Sequence, residues 1–157
     1  MDQVERRITE KGYCLPAVNT GRRGIFVPTK RVGDMVYVSG HGPQSPDGKS
    51  MVYKGKLGSS LTSEEGREAA KLCVLSCLSS LKREVGSLDS IEMVTMRGFV
   101  SSTPDFTEQP EVMNGASELL LDILGERGTH ARTAIATPVL PGDIAVEIQM
   151  VVRVVEA

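Results

Sequence analysis

From Ile144 to Val155 the chain alternates without a break. Ile144, Val146, Ile148, Met150, Val152 and Val154 are all apolar, whereas half of the interleaved set (Ala145, Glu147, Gln149, Val151, Arg153 and Val155) is polar. A period of two puts each set on its own face of a β-strand. The wholly apolar face must be covered by a second layer. The semi-polar face suits an edge, a pocket or a subunit boundary. Ile91 to Val100 demands more, because it reads as a strand that is apolar on both faces.

The sequence supplies two helices to cover such a sheet. Thr62-Ser63-Glu64-Glu65 is a capping box, in which the Thr hydroxyl meets a free amide and Glu65 reaches back. Ala70, Cys73, Val74, Cys77, Leu78, Leu81 and Val85 follow at three/four spacing as one apolar stripe, ended by Gly86. Thr107 is expected to cap a second helix, with Pro110 in its first turn where it costs little. Its stripe is Met113, Ala116, Leu119, Leu120, Ile123 and Leu124, and Gly125 closes it. A shorter helix is expected over Val4–Lys11, stopped by Gly12, and Cys14 to Gly24 reads as loop.

The remaining strands are short. Met35 to Val38 is a buried strand ending in Ser39-Gly40. The turn Ser45-Pro46-Asp47-Gly48 is expected to bring Met51-Val52-Tyr53 back onto it as a hairpin. Arg132 to Val139 is another strand, which Leu140-Pro141-Gly142-Asp143 is expected to fold onto the last one. The order is β-β-α-β-α-β-β, a two-layer α+β domain with two helices on one face of a mixed sheet. The other sheet face would stay wet in a monomer, and oligomerisation is the simplest remedy.

Composition removes whole classes of function. At 157 residues and 16.9 kDa the chain is sized for one domain. Eighteen Lys and Arg stand against 20 Asp and Glu, a net charge of −2, so no basic excess steers it to nucleic acid or an anionic membrane. With no Trp, 3 Tyr and 3 Phe, it has few platforms for stacking bases. Three cysteines do not make a secreted disulfide framework, and Met1 to Lys11 is charged with no apolar centre. No run approaches the ~18 apolar residues of a membrane helix. These features lead us to expect a cytoplasmic protein.

Few residues carry chemistry. Cys73 and Cys77 lie one turn apart on the apolar stripe and read as buried small hydrophobes rather than metal ligands. Cys14 reads as a surface thiol. His41 and His130 lack any metal-ligand spacing and read as polar loop residues. No nucleophile elbow, Walker loop or dinucleotide fingerprint is present. Arg132 and Glu147 are harder to dismiss. They stand eight residues before and seven after Leu140, so a hairpin would bring them close across two strands. Such a pair is either a salt bridge worth little at a surface or a guanidinium in a cleft that grips a carboxylate.

These residues also carry a resemblance. Ala131-Arg132, Leu140-Pro141 and Val146-Glu147-Ile148 resemble the C-terminal signature of the Rid (YjgF-like) family of reactive-intermediate deaminases, often labelled L-PSP endoribonucleases. Val32 to Gly40 resembles that family's first core strand, and Asn114 matches its helix asparagine. The resemblance runs from about Gly24 to Val155. It divides the chain into an N-terminal extension, residues 1–24, typical of a longer branch, and a Rid-like domain, residues 25–157.

The resemblance implies a chorismate-mutase-like fold of the bacillary type and a homotrimer with clefts between subunits. It implies hydrolysis of 2-imino or enamine acids to 2-keto acids and ammonia, with no metal or cofactor. Arg132 would bind the substrate carboxylate, Glu147 would position or activate water, and the Ala134 backbone would contact that water or the substrate nitrogen. Ser39 and Gly40 would line the pocket and Asn114 would shape it. Phe26 lies where the family commonly has a tyrosine, and Ala134 stands where it often has a cysteine. Two other functions remain in play: a non-catalytic trimer that binds small keto acids, and an endoribonuclease. The chain has no basic surface to support the second.

Overall fold

The computed structural model describes residues 1–17 and 25–156. Of the loop expected over Cys14 to Gly24, residues 18–24 lie outside the described part. The elements run α1 (Gln3–Glu10), β1 (Thr29–Val32), β2 (Met35–His41), α2 (Ser63–Val85), β3 (Ile91–Ser101), α3 (Gln109–Leu124), β4 (Ala131–Thr137) and β5 (Val146–Val154). The strands form one sheet in the order β1-β2-β5-β3-β4. The pair β3–β4 is parallel and the other pairs are antiparallel. The domain is therefore the expected α+β two-layer fold with a mixed sheet.

The core lies between the sheet and α2 and α3. Val146, Ile148, Met150 and Val152 of β5 are buried, as the alternation requires. They meet Cys73, Val74, Cys77, Leu78 and Leu81 of α2 in one cluster with Met113, Leu120 and Ile123 of α3. Cys73 and Cys77 donate to the carbonyls of Val146 and Ile148 at 3.3 and 3.6 Å, and burial raises both thiols' pKa. They are core residues. The Thr62 capping box forms as read, and Gly86 ends α2 at φ +84.

α1 extends this core. Its capping box is Asp2 with Glu5, and Val4 and Ile8 are buried. Asp89 accepts from the amides of Gln3 and Val4 at 3.0 Å, and Lys82 pairs with Asp2 and Glu5 at 2.9 Å. A helix too short to stand alone is thus fixed by tertiary partners.

Three local expectations fail. First, β2 pairs with Thr29–Val32, not with Met51–Tyr53. Gly33, at φ +64, and Asp34 form the tight turn between β1 and β2. The Ser45–Gly48 turn does form, and across it Met51 bridges Gln44 and the Val52 amide donates to the Pro43 carbonyl at 2.9 Å, but this short hairpin lies outside the sheet and Tyr53 at φ +57 ends its extended run. Second, Thr107 does not cap α3. The N-cap is Glu108 with no side-chain bond, while Gln109 Nε2 donates to the Phe106 carbonyl at 2.7 Å. Third, β4 and β5 are not neighbours. β3 lies between them, because α3 carries the chain across to a parallel pairing.

The sheet face away from α2 and α3 carries apolar side chains in the open. Tyr37 and Ile135 are 51% and 47% exposed, and Val32 is also exposed. Tyr37 lies between the buried Val36 and Val38 of β2, Val32 pairs with Met35 of the same strand, and Ile135 pairs with Phe99, which lies between the buried Gly98 and Val100 of β3. No helix of the described chain is long and apolar enough to cross a membrane.

Candidate functional site

Arg132 sits on the edge strand β4, paired with Met96 of β3, which in turn pairs with the buried Met150. Its side chain therefore leaves the sheet on the helix side. There α3 meets it with three acceptors. Arg132 Nη1 donates to Asn114 Oδ1 at 2.8 Å and to Ser117 Oγ at 3.1 Å, and Nη2 donates to the Pro110 carbonyl at 3.4 Å. A guanidinium has five N–H donors in a fixed plane. Three are taken by α3. Nε–H and one Nη2–H have no acceptor among the described residues. Nε lies on the same edge of the guanidinium as Nη2, and that edge is the fork that receives both oxygens of a carboxylate.

Glu147 lies elsewhere. It pairs with Phe99 of β3, which pairs with Ile135 of β4. It is three residues from Met150 along β5, an odd number, so it projects from the opposite face to Arg132. The expectation that the two lie side by side across a hairpin is therefore wrong for a single chain. No ion pair joins them, and β3 separates their strands.

Glu147 belongs with a different group. A Cβ placed on Gly40 would lie 2.9 Å from the Glu147 carboxyl carbon and Oε2, so the carboxyl rests against bare backbone. Gly40 follows Ser39 where β2 breaks register with β5, between Val38 and His41. The Ser39 hydroxyl donates to the Val27 carbonyl at 2.7 Å, beside Phe26, which is 61% exposed. Burial raises the Glu147 carboxyl above the usual range, and no donor among the described residues reaches it. A half-buried carboxyl left with free acceptor sites is suited to bind and hold a proton.

The residues singled out from the sequence thus fall into two groups. Arg132, Asn114 and Ala134 gather around β4 and α3. Phe26, Ser39, Gly40 and Glu147 gather around β2 and β5. Ala134 pairs with Gly98 of β3 and is partly buried against the core.

Sequence reasoning missed two residues. Ser117 accepts from Arg132, and His130 Nε2 lies 2.9 Å from the Ser117 hydroxyl. The one available signal was that Asn114 and Ser117 are three apart on a helix and so share a face. His41 is a structural residue rather than a free loop side chain. It donates from Nδ1 to the Ser39 carbonyl at 2.6 Å and accepts from the Ser80 hydroxyl at 2.8 Å, and burial lowers its pKa. Among the described residues no three His, Cys, Asp or Glu side chains gather to hold a metal ion.

Comparison with known proteins gives the family. Residues 5–153 match the family described as "YjgF/chorismate mutase-like, putative endoribonuclease". The chain belongs to the YjgF family. The Rid resemblance read from Arg132, Leu140-Pro141 and Glu147 is thereby borne out. A curated relative, Protein TCP17 of Trypanosoma cruzi, is 39% identical over 150 residues, covering 87% of this chain and 92% of the relative. The crystal structure of Atu1372 from Agrobacterium tumefaciens, a protein of unknown function, is 36% identical with a TM-score of 0.89, covering 98% of this chain and 92% of that one. A Shewanella oneidensis protein with the same endoribonuclease label is 30% identical with a TM-score of 0.91, over 98% of this chain and all of that one.

Proposed function

We propose that this YjgF protein hydrolyses 2-imino and enamine acids to 2-keto acids and ammonia, at clefts between the subunits of a homotrimer. The observation that carries the reading is the Arg132 fork. Its plane is set by Asn114, Ser117 and Pro110, and one edge is left for a carboxylate.

The two groups of residues support an assembled site. Arg132 and Glu147 leave opposite faces of one sheet, so a small substrate reaches both only if they come from different chains. A neighbour docked against the exposed face bearing Tyr37 and Ile135 would bury apolar surface and complete the cleft. In that cleft Arg132, Asn114 and the Ala134 backbone face Ser39, Gly40 and Glu147 of the partner subunit.

The chemistry needs placement more than a strong nucleophile. In a 2-iminium acid, C2 is already electrophilic. Arg132 holds the C1 carboxylate, which fixes the face of C2 offered to water. Glu147 of the partner subunit takes one proton from the water as the C2–O bond forms. It returns that proton to nitrogen and, ionised again, takes the remaining proton from the C2 hydroxyl as the C2–N bond breaks and the carbonyl closes; that proton passes to the departing ammonia, which leaves as ammonium. The products are the 2-keto acid and ammonium, with no net change in oxidation. Gly40 leaves room for the carboxyl to lie close to the reacting centre, and burial keeps its proton affinity high enough for transfer in both directions.

The test is to generate a 2-imino acid in situ with an amino-acid oxidase and follow release of the keto acid. The native protein is expected to accelerate release and Arg132→Ala to abolish the acceleration. No acceleration, or equal acceleration by Arg132→Ala, overturns the reading. Calorimetric binding of keto acids without turnover would replace it with a carboxylate-binding trimer.

A further inference from the structure

Arg132 is held by groups that are themselves held. We propose that His130 and Ser117 form a relay that orients Arg132 for carboxylate binding. This positioning role rests on the site described above. His130 immediately precedes β4. Its Nδ1–H donates to the Gly128 carbonyl at 2.6 Å, so in the neutral ring Nε2 is the acceptor. The Ser117 hydroxyl lies 2.9 Å from Nε2 and therefore points its proton at the ring. Its lone pairs are then turned towards Arg132 Nη1 at 3.1 Å.

Without His130 that proton has other acceptors. A serine inside a helix commonly turns its hydroxyl to the carbonyl one turn back. The oxygen would then shift away from Arg132. The second acceptor on the guanidinium is fixed in the same way. Asn114 Oδ1 takes the other Nη1 proton at 2.8 Å, and its amide nitrogen donates to Glu111 Oε2 at 3.3 Å. Asn114 and Ser117 lie one turn apart on α3, so together they define the guanidinium plane. The free edge of Nε–H and Nη2–H takes its direction from that plane. Losing the relay tilts the fork while leaving the positive charge in place.

The consequence is a split between binding and chemistry. His130→Phe keeps a ring but removes the acceptor, and His130→Gln restores an acceptor near the Nε2 position. We expect His130→Phe and Ser117→Ala each to raise the Kd for 2-oxobutanoate, measured calorimetrically, about tenfold, the scale of one hydrogen bond to a charged group. KM for the imino acid should rise in step while kcat stays within about twofold. His130→Gln should bind within about twofold of the parent. The double variant Ser117→Ala/His130→Phe should be no worse than Ser117→Ala, because both remove the same link.

Parent-like binding by His130→Phe, or losses that add in the double variant, overturns the relay. So does a loss in His130→Phe that His130→Gln fails to rescue. A melting curve on each variant separates misfolding from misorientation, and Ser117→Ala carries the test if His130→Phe does not fold. Arg132→Ala is the control. If it binds 2-oxobutanoate like the parent, the site reading falls and the relay with it. If it alone loses binding, only the relay falls.

Discussion

Two side chains carry the proposed chemistry, and their surroundings make them unlike. Arg132 is a charge whose donors are mostly taken, and Glu147 is a carboxyl with no donor among the described residues. Arg132→Lys is therefore not conservative. A lysine cannot serve Asn114, Ser117 and a bidentate carboxylate together, and kcat/KM should fall at least about tenfold in steady-state kinetics. Glu147→Gln should keep binding and lower kcat about 10²- to 10⁴-fold. The pH profile has a worked sign. As proton acceptor, Glu147 must be ionised, so activity should fall as pH drops through a pKa that burial has raised above the usual carboxylate range. Residual activity of Glu147→Gln should lack that acid limb. Both residue types were legible in the sequence, because an Arg opening an apolar strand and a Glu interrupting another are local anomalies. What orients them was not. Asn114 came only from the family resemblance, and Ser117, with His130 behind it, reaches Arg132 only through tertiary packing of α3 on β4.

Among the elements, legibility followed the range of the interaction. α2 and β5 were read almost to the residue, because a capping box, a glycine stop and a strict alternation are local signals. The first hairpin was misread for want of weight on Gly33-Asp34, a two-residue turn between runs that pair as β1 and β2. β4 was paired with the wrong strand because a parallel partner joined through α3 leaves no turn signature. α1 was legible as a helix but not as part of the core. Burial alone would raise the Asp2 carboxyl, but Lys82 and the amides of Glu5 and Leu88 outweigh it and hold the pKa below its usual value. The stabilisation is present above the ordinary Asp range and is lost as pH falls through the lowered folded value. Asp2→Ala should cost about 2 kcal/mol in urea unfolding at neutral pH, and the difference from the parent should shrink in acid. A result within error of the parent at neutral pH would contradict the anchoring of α1. At the α2–α3 crossing, a Cβ on Gly115 would lie 2.6 Å from the Arg67 carbonyl, so Gly115→Ala should destabilise by about 1–3 kcal/mol.

For the whole molecule, a sheet covered on one face leaves Tyr37 and Ile135 in water, while the site residues divide between two faces. Assembly answers both facts at once. Charge placed on that face, as in Ile135→Glu, should lower the sedimenting mass from trimer to monomer and remove activity together, with far-UV dichroism unchanged. The assembly number came from the family resemblance. What the register shows is that Arg132 and Glu147 leave opposite faces of one sheet, and the proposed shared cleft rests on that.

The shared cleft is tested most directly by mixing two impaired proteins. Arg132→Ala is expected to be inactive alone, and Glu147→Gln to keep at most about a hundredth of native activity. When they are co-assembled at equal ratio, about a quarter of the clefts combine an intact Arg132 from one chain with an intact Glu147 from the next. A shared cleft predicts recovery of about a quarter of native activity in the mixed assembly, and no gain over the separate variants when the two are kept from exchanging. Failure to recover activity in demonstrably mixed trimers would contradict a site shared between subunits.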